Sequence, residues 1–309
     1  MAQNCLVIAS RESALAMWQS QSVRQHLLSL YPNLLIRIEG MITRGDRLLH
    51  QSLAKIGGKG LFIKELEHAL LEQTADIAVH SLKDVPMDLP KGFVLAAITK
   101  RAIAFDAFVS NHYTNIASLP IGATVGTSSL RRAAQILALY PHLQIKGLRG
   151  NVQTRLNKLD NGDYDAIILA AAGLERLGLQ HRIQVYLRPE DVLPAAGQGA
   201  LAIEVAECRD DLLNLLKPLH HFQTAACVTA ERTLARILGG SCQIPLAAYC
   251  VEKANCLELK ALVASADGAT VLRASAHAPL DQAEHLGVVV AKQLTQQGAQ
   301  ELIATVLSV

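Results

Sequence analysis

Short apolar runs alternate with longer segments of helical periodicity over the first two thirds of the chain. Residues 5–9 are apolar and predict a buried strand. Apolar residues then recur at helical spacing from Leu15 to Leu30, which predicts a helix that begins at about Ser13 and ends before Pro32. The further predicted strands are 34–40, 77–79, 93–98, 107–110, 123–126, 144–148 and 166–170. The further predicted helices are 61–72, 128–139 and 152–159.

The alternation of strands and helices begins again after residue 100, so we expect two α/β domains of similar build. Pro194 and two glycines interrupt the apolar segment Leu193–Gly199, which is typical of a hinge through which the chain returns to the first domain. After about His220, one helix, three strand-like runs and further helical segments predict a small α+β domain. The predicted domains are 1–99 with 200–219, 100–199, and 220–309.

Length and composition exclude several classes of protein. The chain has 309 residues, which is two domains' worth at about 150 residues each. Lys and Arg number 29 against 27 Asp and Glu, so no bulk charge attracts nucleic acid or an acidic membrane. The longest apolar run, nine residues from Ala166 to Leu174, is far shorter than the roughly 20 that a membrane helix needs. The N-terminus lacks a signal-peptide pattern, and we therefore expect a soluble, cytoplasmic protein.

The six cysteines include no Cys-x-x-Cys pair and no paired histidine spacing, which argues against a zinc site or a disulfide framework. Cys227, Cys250 and Cys256 lie in apolar periodic contexts that are typical of buried thiols. Cys242 lies instead in the flexible turn Leu238–Pro245. That position is compatible with a nucleophile or a covalent attachment point, and equally with an ordinary free thiol.

Arginines follow predicted strands at three places where a helix begins, in Ser10–Ser13, Thr127–Arg132 and Arg149–Arg155. A cation in the first turn opposes the helix dipole by roughly 0.3–1 kcal/mol. The three clusters therefore indicate an anionic ligand, for which the guanidinium group is well suited. The alternatives are solvated surface arginines and, for the Ser, Thr and Asn side chains, helix capping alone.

Asp84 lies in Ala78–Pro86, just after a predicted strand, where ligands bind in open α/β sheets. Its carboxylate is a candidate to bind N–H groups, stabilise positive charge or relay a proton, and a salt bridge with Lys83 is the alternative. The glycine-rich segment Ala54–Phe62 adds two lysines but lacks the spacing of a P-loop. Residues 197–202 lack the third glycine of a dinucleotide fingerprint, so ATP and NAD are poor candidates.

Six motifs carry a resemblance to one family, which extends from about Leu6 to Leu307. They are Ile8–Ser13, Lys55–Phe62, Ala78–Pro86, Val125–Arg132, Leu148–Val152 and Gly240–Pro245. In this order and spacing they resemble the porphobilinogen deaminases, also called hydroxymethylbilane synthases. The resemblance implies three domains, the first two similar to type II periplasmic binding proteins with the site in the cleft between them. It also implies a transferase that deaminates four porphobilinogens, couples them head to tail and releases the linear tetrapyrrole hydroxymethylbilane by hydrolysis.

The resemblance further implies roles for individual residues. A dipyrromethane cofactor is joined by a thioether to Cys242, and Asp84 binds pyrrole N–H groups and stabilises the azafulvenium cation formed when ammonia leaves. The residues implied to hold the cofactor are Lys83, Asp84, Thr127, Ser129, Arg131, Arg132 and Arg155. Those implied to hold the substrate or the growing chain are Arg11, Ser13, Gln19, Arg149, Arg155 and Arg176. Lys55 and Lys59 would lie on a mobile loop with Phe62 near the pyrrole rings, in a monomer without a metal.

The chain departs from the family pattern at two places. Ile103, Ala104 and Phe105 stand where the family has Asp-Pro-Arg, so the usual arginine is missing, and the segment Ala202–Asp211 is irregular. The residues alone leave two other classes open. One is a non-catalytic anion binder, which does not need Cys242. The other is a thiol redox enzyme, which the missing Cys-x-x-Cys disfavours.

Overall fold

The computed structural model describes residues 5–47, 63–240 and 243–308. Within these ranges the strands are β1 (Leu6–Arg11), β2 (Ile36–Met41), β3 (Ile77–Ser81), β4 (Phe93–Ile98), β5 (Asp106–Val109), β6 (Thr124–Gly126), β7 (Gln144–Lys146), β8 (Ala166–Ala170), β9 (Val185–Leu187), β10 (Leu201–Ala206), β11 (Leu246–Lys253), β12 (Cys256–Ala264) and β13 (Val271–Pro279). The α-helices are α1 (Ala14–Leu30), α2 (Arg44–Arg47), α3 (Lys64–Leu71), α4 (Leu130–Leu139), α5 (Val152–Asp160), α6 (Ala171–Arg176), α7 (Asp210–Leu216), α8 (Phe222–Ile237), α9 (Ala283–Gln296) and α10 (Ala299–Leu307). No helix within the described ranges is both long and apolar enough to cross a membrane.

The chain forms two compact units. The first comprises Met1–Ala102 and Gly199–Ala225, and the second comprises Ile103–Gln198 and Ala226–Val309. The division into three domains, with its boundaries, stays a prediction.

The sheet of the first unit has the strand order β2-β1-β3-β10-β4. Strands β2, β1 and β3 run parallel, whereas β10 is antiparallel to both β3 and β4. The carboxyl ends of β1, β2 and β3 therefore meet at one edge of this sheet. We call the segments that follow these three strands the first edge.

The larger sheet of the second unit repeats this arrangement with the order β7-β6-β8-β5-β9. Strands β7, β6 and β8 run parallel, and β5 is antiparallel to both β8 and β9. Asp106, the first residue of β5, pairs with Ala170, the last residue of β8. The start of β5 therefore lies at the carboxyl ends of the parallel strands. We call the segments that follow β6, β7 and β8 the second edge.

Both faces of each five-stranded sheet are covered, which explains why central strands such as β1 and β8 are nearly uninterrupted apolar runs. In the first unit Ile8 packs with Leu27 of α1 on one face, and Ala9 packs with Leu66 of α3 on the other. In the second unit, successive residues of β8 face opposite sides of the sheet. One side is covered by α4 and the other by α5.

A third, antiparallel sheet, with the order β11-β12-β13, packs within the second unit. Its residues Ala247 and Leu262 contact Ala134 of α4 together with Leu193. On its other side, a Cβ added at Gly287 of α9 would lie 2.6 Å from the carbonyl oxygen of Ala230 on α8, so these two helices pack closely. The predicted fold class, two similar α/β sheets followed by a small α+β part, is confirmed.

Candidate active site

The second edge contains a buried cluster of charge at the start of α4. Nη1 of Arg131 donates a hydrogen bond to Oδ2 of Asp106 over 2.8 Å. Arg132 donates to Oδ1 of the same carboxylate from Nε over 3.0 Å and from Nη2 over 2.6 Å. Asp106 is fully buried, and both arginines are nearly so. The two guanidinium groups therefore share a single carboxylate.

This cluster carries a formal charge of +1, because two guanidinium cations face one carboxylate anion. Burial on its own raises the pKa of Asp106, but the charges of Arg131 and Arg132 outweigh it and hold that pKa well below its usual range. Burial lowers the pKa of Arg131, which the charge of Asp106 offsets in part. A buried net positive charge at a helix N-terminus is favourable for an anion.

The hydroxyl groups beside these arginines shape the turn. Ser129 caps α4, and its Oγ accepts from the Arg132 backbone N–H over 3.4 Å. Thr127 is buried, and its Oγ1 accepts from the Ser129 backbone N–H over 3.2 Å. The capping interpretation of Ser129 is therefore confirmed, and this capping fixes the backbone that carries Arg131 and Arg132.

The segment after β7 is a second tight turn. Gly150 has a φ of 119°, a conformation that strongly favours glycine, and its carbonyl oxygen accepts from Nε of Arg155 over 2.8 Å. Asn151 caps α5 by accepting from the Thr154 backbone N–H over 2.9 Å. Arg149 and Arg155 are both half-buried at this turn.

Arg176 ends α6, the short helix that follows β8. Its side chain is half-buried, and burial lowers its pKa to about 10. The guanidinium therefore stays charged at neutral pH. Its charge is only partly solvated, which strengthens its attraction for an anion.

In the first edge, Arg11 at the end of β1 is paired with Asp46 on α2. Nε of Arg11 donates to Oδ2 of Asp46 over 3.1 Å, and Nη2 donates to Oδ1. Burial raises the pKa of Asp46, but the hydrogen bonds from Arg11 and Thr43 lower it by a larger amount. The net shift of this pKa is therefore downward. Arg11 is therefore held in one orientation rather than free in solvent.

Two other predicted residues of the first unit belong to α1 and its N-terminal cap. Ser13 caps the helix, and its Oγ accepts from the Ala16 backbone N–H over 3.3 Å. Gln19 is buried, and its Nε2 donates to Oγ of Ser81, the last residue of β3, over 2.8 Å. The structure therefore ties α1 to the strand that leads to Asp84.

Asp84 ends a single 3-10 turn, Leu82–Asp84, directly after β3. Leu82 is fully buried, and its backbone N–H donates to the carbonyl oxygen of Ala200 over 3.0 Å. Lys83 is half-buried and Asp84 is exposed. The turn is anchored by Leu82, and it presents the Asp84 carboxylate at the carboxyl end of β3, as the sequence predicts.

Four predicted residues, Cys242, Lys55, Lys59 and Phe62, lie outside the described residues. The described chain on both sides of residues 241 and 242 belongs to the second unit. Gly240 follows α8 so closely that an added Cβ would lie 2.6 Å from the carbonyl oxygen of Ala235. After the turn, Pro245 accepts from the Ala264 backbone N–H over 3.0 Å.

The sequence does not identify the carboxylates that pair with the predicted cations. Asp106 binds Arg131 and Arg132, and Asp46 binds Arg11. A carboxylate inside the otherwise apolar run Phe105–Val109 is a signal for a buried ion pair, because an isolated buried charge is very costly. Its partners cannot be read from the sequence, since they lie 25 and 26 positions away.

Comparisons with known proteins agree over nearly the whole chain. Residues 6–214 match the family model "Porphobilinogen deaminase, dipyromethane cofactor binding domain", and residues 225–296 match the model of the porphobilinogen deaminase C-terminal domain. The porphobilinogen deaminase of Neisseria meningitidis serogroup B is 64% identical over 98% of this chain and 97% of its own. That of Chromobacterium violaceum is 59% identical over 98% of each chain.

Solved structures of periplasmic binding proteins are also similar. A periplasmic substrate-binding protein of an ABC transporter from Coxiella burnetii has a TM-score of 0.45 and 15% identity, over 70% of this chain and 92% of its own. A methionine-binding lipoprotein from Bacillus subtilis has a TM-score of 0.44 and 13% identity, over 72% of this chain and 92% of its own.

Each unit is an α/β structure with arginines at the carboxyl edge of its sheet, an arrangement that can bind an anion. The ability to bind an anion does not by itself show whether a protein is an enzyme or a binding protein. The family matches do so: the chain belongs to the porphobilinogen deaminase family and is an enzyme. The resemblance seen in the sequence is thereby confirmed.

Proposed function

We propose that the protein is a hydroxymethylbilane synthase, a transferase of porphyrin and haem biosynthesis. It deaminates four porphobilinogens in turn, couples them head to tail on a covalently bound dipyrromethane and releases hydroxymethylbilane by hydrolysis. The observation that carries this proposal is the 64% identity to a porphobilinogen deaminase over nearly the full length of both chains. We further propose that it works as a monomer in the cytoplasm.

The described residues fit a dipyrromethane cofactor. Each pyrrole ring carries an acetate and a propionate, so the group is a polyanion that needs several fixed cations. The second edge supplies them in the cluster of Arg131, Arg132 and Asp106, whose formal charge of +1 is buried. The residues proposed to hold the cofactor are Lys83, Asp84, Thr127, Ser129, Arg131, Arg132 and Arg155.

Cys242 is the proposed attachment point. A thiolate is the nucleophilic form of cysteine, and a thioether withstands the exchange that a disulfide undergoes. When bound, the cofactor supplies the pyrrole carbon to which the first substrate unit is joined. The residues of this chain bind, orient and stabilise charge around that position.

Asp84 is the proposed catalytic residue. Its exposed carboxylate stands at the carboxyl end of β3, so its oxygens are available to accept hydrogen bonds from pyrrole N–H groups. As ammonia leaves porphobilinogen, positive charge develops on the pyrrole, and a fixed carboxylate stabilises that charge. After coupling, the same oxygens can accept the proton that the newly joined ring loses. One carboxylate can first stabilise the cation and then accept this proton, because the two steps follow one another.

The remaining cations are proposed to hold the substrate and the growing chain. The residues proposed for this task are Arg11, Ser13, Gln19, Arg149, Arg155 and Arg176. Arg176 is well suited to this task, since its guanidinium is charged and half-buried. Lys55 and Lys59 are proposed to lie over the bound ligand, with Phe62 near the pyrrole rings.

The test of this function is turnover of porphobilinogen by the purified full-length chain. We expect porphobilinogen to be consumed, with ammonia and hydroxymethylbilane released in the ratio of four to one. Cys242→Ser is the diagnostic variant, and Cys208→Ser, which changes an exposed thiol elsewhere, is its control. Unchanged turnover in Cys242→Ser would favour a protein that does not use a covalent cofactor.

A further inference from the structure

Three side chains from two separate parts of the second unit meet at the carboxylate of Asp106. Arg131 and Arg132 reach it from the first turn of α4. Gln198 reaches it from the end of the apolar segment before β10, donating from Nε2 to Oδ1 over 3.0 Å. Asp106 therefore accepts four hydrogen bonds while fully buried, and it stands at the second edge because it begins β5.

The two arginines are not held in the same way. Arg132 uses all three of its nitrogens on the protein, because Nη1 donates to the carbonyl oxygen of Ile168 over 3.1 Å while Nε and Nη2 bind Asp106. Arg131 uses Nη1 alone, for Asp106 and for the carbonyl oxygen of Leu193 over 2.6 Å. Nε and Nη2 of Arg131 make no hydrogen bond to any residue in the described ranges. Contacts with the protein therefore fix Nη1 of Arg131, and Nε and Nη2 of this guanidinium can donate to a ligand.

The same contacts reach the third sheet. The Leu193 carbonyl that binds Arg131 also accepts from Nε2 of Gln135 over 3.1 Å, and the Leu193 N–H donates to Oε1 of Gln135 over 2.7 Å. The next residue, Pro194, accepts from the Ala248 backbone N–H of β11 over 3.2 Å. Hydrogen bonds therefore link Arg131, through Leu193 and Pro194, to β11, the strand that begins four residues after Cys242.

We propose that Asp106 is a positioning residue for the cofactor, which it does not touch. It locks Arg132 in place and turns Arg131 so that Nε and Nη2 are presented to a carboxylate. It also reduces the charge of the pair from +2 to +1, so that the cations can stay buried before an anion arrives. This inference rests on the proposed function of Arg131 and Arg132 as cofactor ligands.

The experiment measures two quantities on each purified full-length variant: the fraction of chains that carry the cofactor, by intact-protein mass, and the unfolding temperature. Asp106→Asn keeps the shape of the side chain but removes its charge. Its control is Asp165→Asn, which removes a carboxylate of the same unit that accepts from the Thr124 backbone N–H and forms no ion pair with an arginine in the part of the chain that the structure describes. We expect Asp106→Asn to lower the loaded fraction by roughly tenfold or more, the effect of one misplaced charge-assisted hydrogen bond. We expect Asp165→Asn to lower only the unfolding temperature.

A double variant keeps the proposal testable if Asp106→Asn fails to fold. Combining Asp106→Asn with Arg132→Gln restores the formal charge of the cluster to +1, since Arg131 then faces two neutral partners. We expect the double variant to fold and to load less cofactor than Arg132→Gln alone, because Arg131 then lacks the carboxylate that orients it. A double variant that folds and loads as much cofactor as Arg132→Gln overturns the proposal.

Arg131→Gln separates a failure of this inference from a failure of the proposed function. Normal loading in Arg131→Gln would mean that Arg131 is not a cofactor ligand, and the proposed function of this pair would then fail. Loss of loading in Arg131→Gln, together with normal loading in Asp106→Asn, would overturn the positioning role of Asp106 alone.

Discussion

Nε2 of His80 lies 2.8 Å from Oε2 of Glu204, and the two side chains extend from the adjacent antiparallel strands β3 and β10. Both are buried, and Oε1 of Glu204 makes no hydrogen bond to any residue of the described ranges. Glu67 of α3 is buried on the same side of the sheet. Burial and the charge of Glu204 raise the pKa of Glu67, while the charges of His80 and Lys64 oppose this shift.

The raised pKa of Glu67 sets the direction of a pH effect on stability. Above the pKa that Glu67 has in the unfolded chain, the folded protein holds a proton that the unfolded chain has released, so stability falls as the pH rises through the folded pKa. Glu67→Gln cannot ionise. We therefore expect the free energy of unfolding of Glu67→Gln, minus that of the parent, to increase from about pH 5 to about pH 8.

Urea unfolding at a series of pH values measures this difference. Glu207→Gln, which changes an exposed carboxylate of the same unit, is the matched control and should show no such trend. A constant difference between Glu67→Gln and the parent across the pH range would refute the raised pKa.

Asp84→Asn is expected to reduce the rate of porphobilinogen coupling by roughly a hundredfold or more, the usual loss for a general acid–base group. Because Asp84 is exposed and the anchoring contacts of the turn belong to Leu82, the unfolding temperature should stay close to that of the parent. Steady-state turnover and a thermal melt on the same sample give both numbers. Retention of near-normal turnover by a folded variant would reject the catalytic role of Asp84.

Gly240→Ala is expected to lower the free energy of unfolding by about 1–3 kcal/mol, because the new Cβ overlaps the Ala235 carbonyl oxygen. Since Gly240 lies two positions before Cys242, we also expect a smaller fraction of chains with cofactor. The control is Gly147→Ala in the same unit, where the nearest atom to an added Cβ is Oγ of Ser128 at 3.6 Å, an ordinary contact. Equal effects of the two changes on loading would contradict a special requirement at Gly240.

Arg176→Gln is expected to raise the KM for porphobilinogen by roughly tenfold, the loss of one hydrogen bond to a charged group. The pKa of Arg176 is lowered only to about 10, so its contribution should be constant from about pH 6 to about pH 8. Initial rates over that range test both statements. An effect confined to kcat would assign Arg176 to the chemical step rather than to substrate binding.

The sequence predicts best those elements whose pattern is local. The strand predicted at 166–170 has the bounds of β8, and Ser129 caps the helix that carries Arg131 and Arg132. Strand β10 was not predicted, because Glu204 breaks its apolar pattern. Its carboxylate is paired with His80 of β3, a contact between residues 124 positions apart that no local pattern contains.

The positions of the cations proposed to bind the ligand could be predicted from the sequence, but the carboxylates that hold them could not. Arg131 and Arg132 follow a strand and Arg11 ends one, yet each is held by a carboxylate that is distant in the chain. The roles of Lys55, Lys59, Phe62 and Cys242 stay predictions, since these residues lie outside the described ranges. The missing family arginine at Phe105 is replaced by an aromatic contact, with the Phe105 and Tyr249 rings 6.3 Å apart in an edge-to-face arrangement.

The proposed function depends on a polyanionic cofactor bound covalently through Cys242, and the intact mass of the purified, active chain is its decisive test. We expect a mass above that of the sequence by one dipyrromethane in the parent and in Cys208→Ser, and the mass of the bare chain in Cys242→Ser. Porphobilinogen added to the parent should produce further species, each heavier by one pyrrole unit. An active parent protein with the mass of the bare chain, or an adduct that survives in Cys242→Ser, would rule out attachment through Cys242.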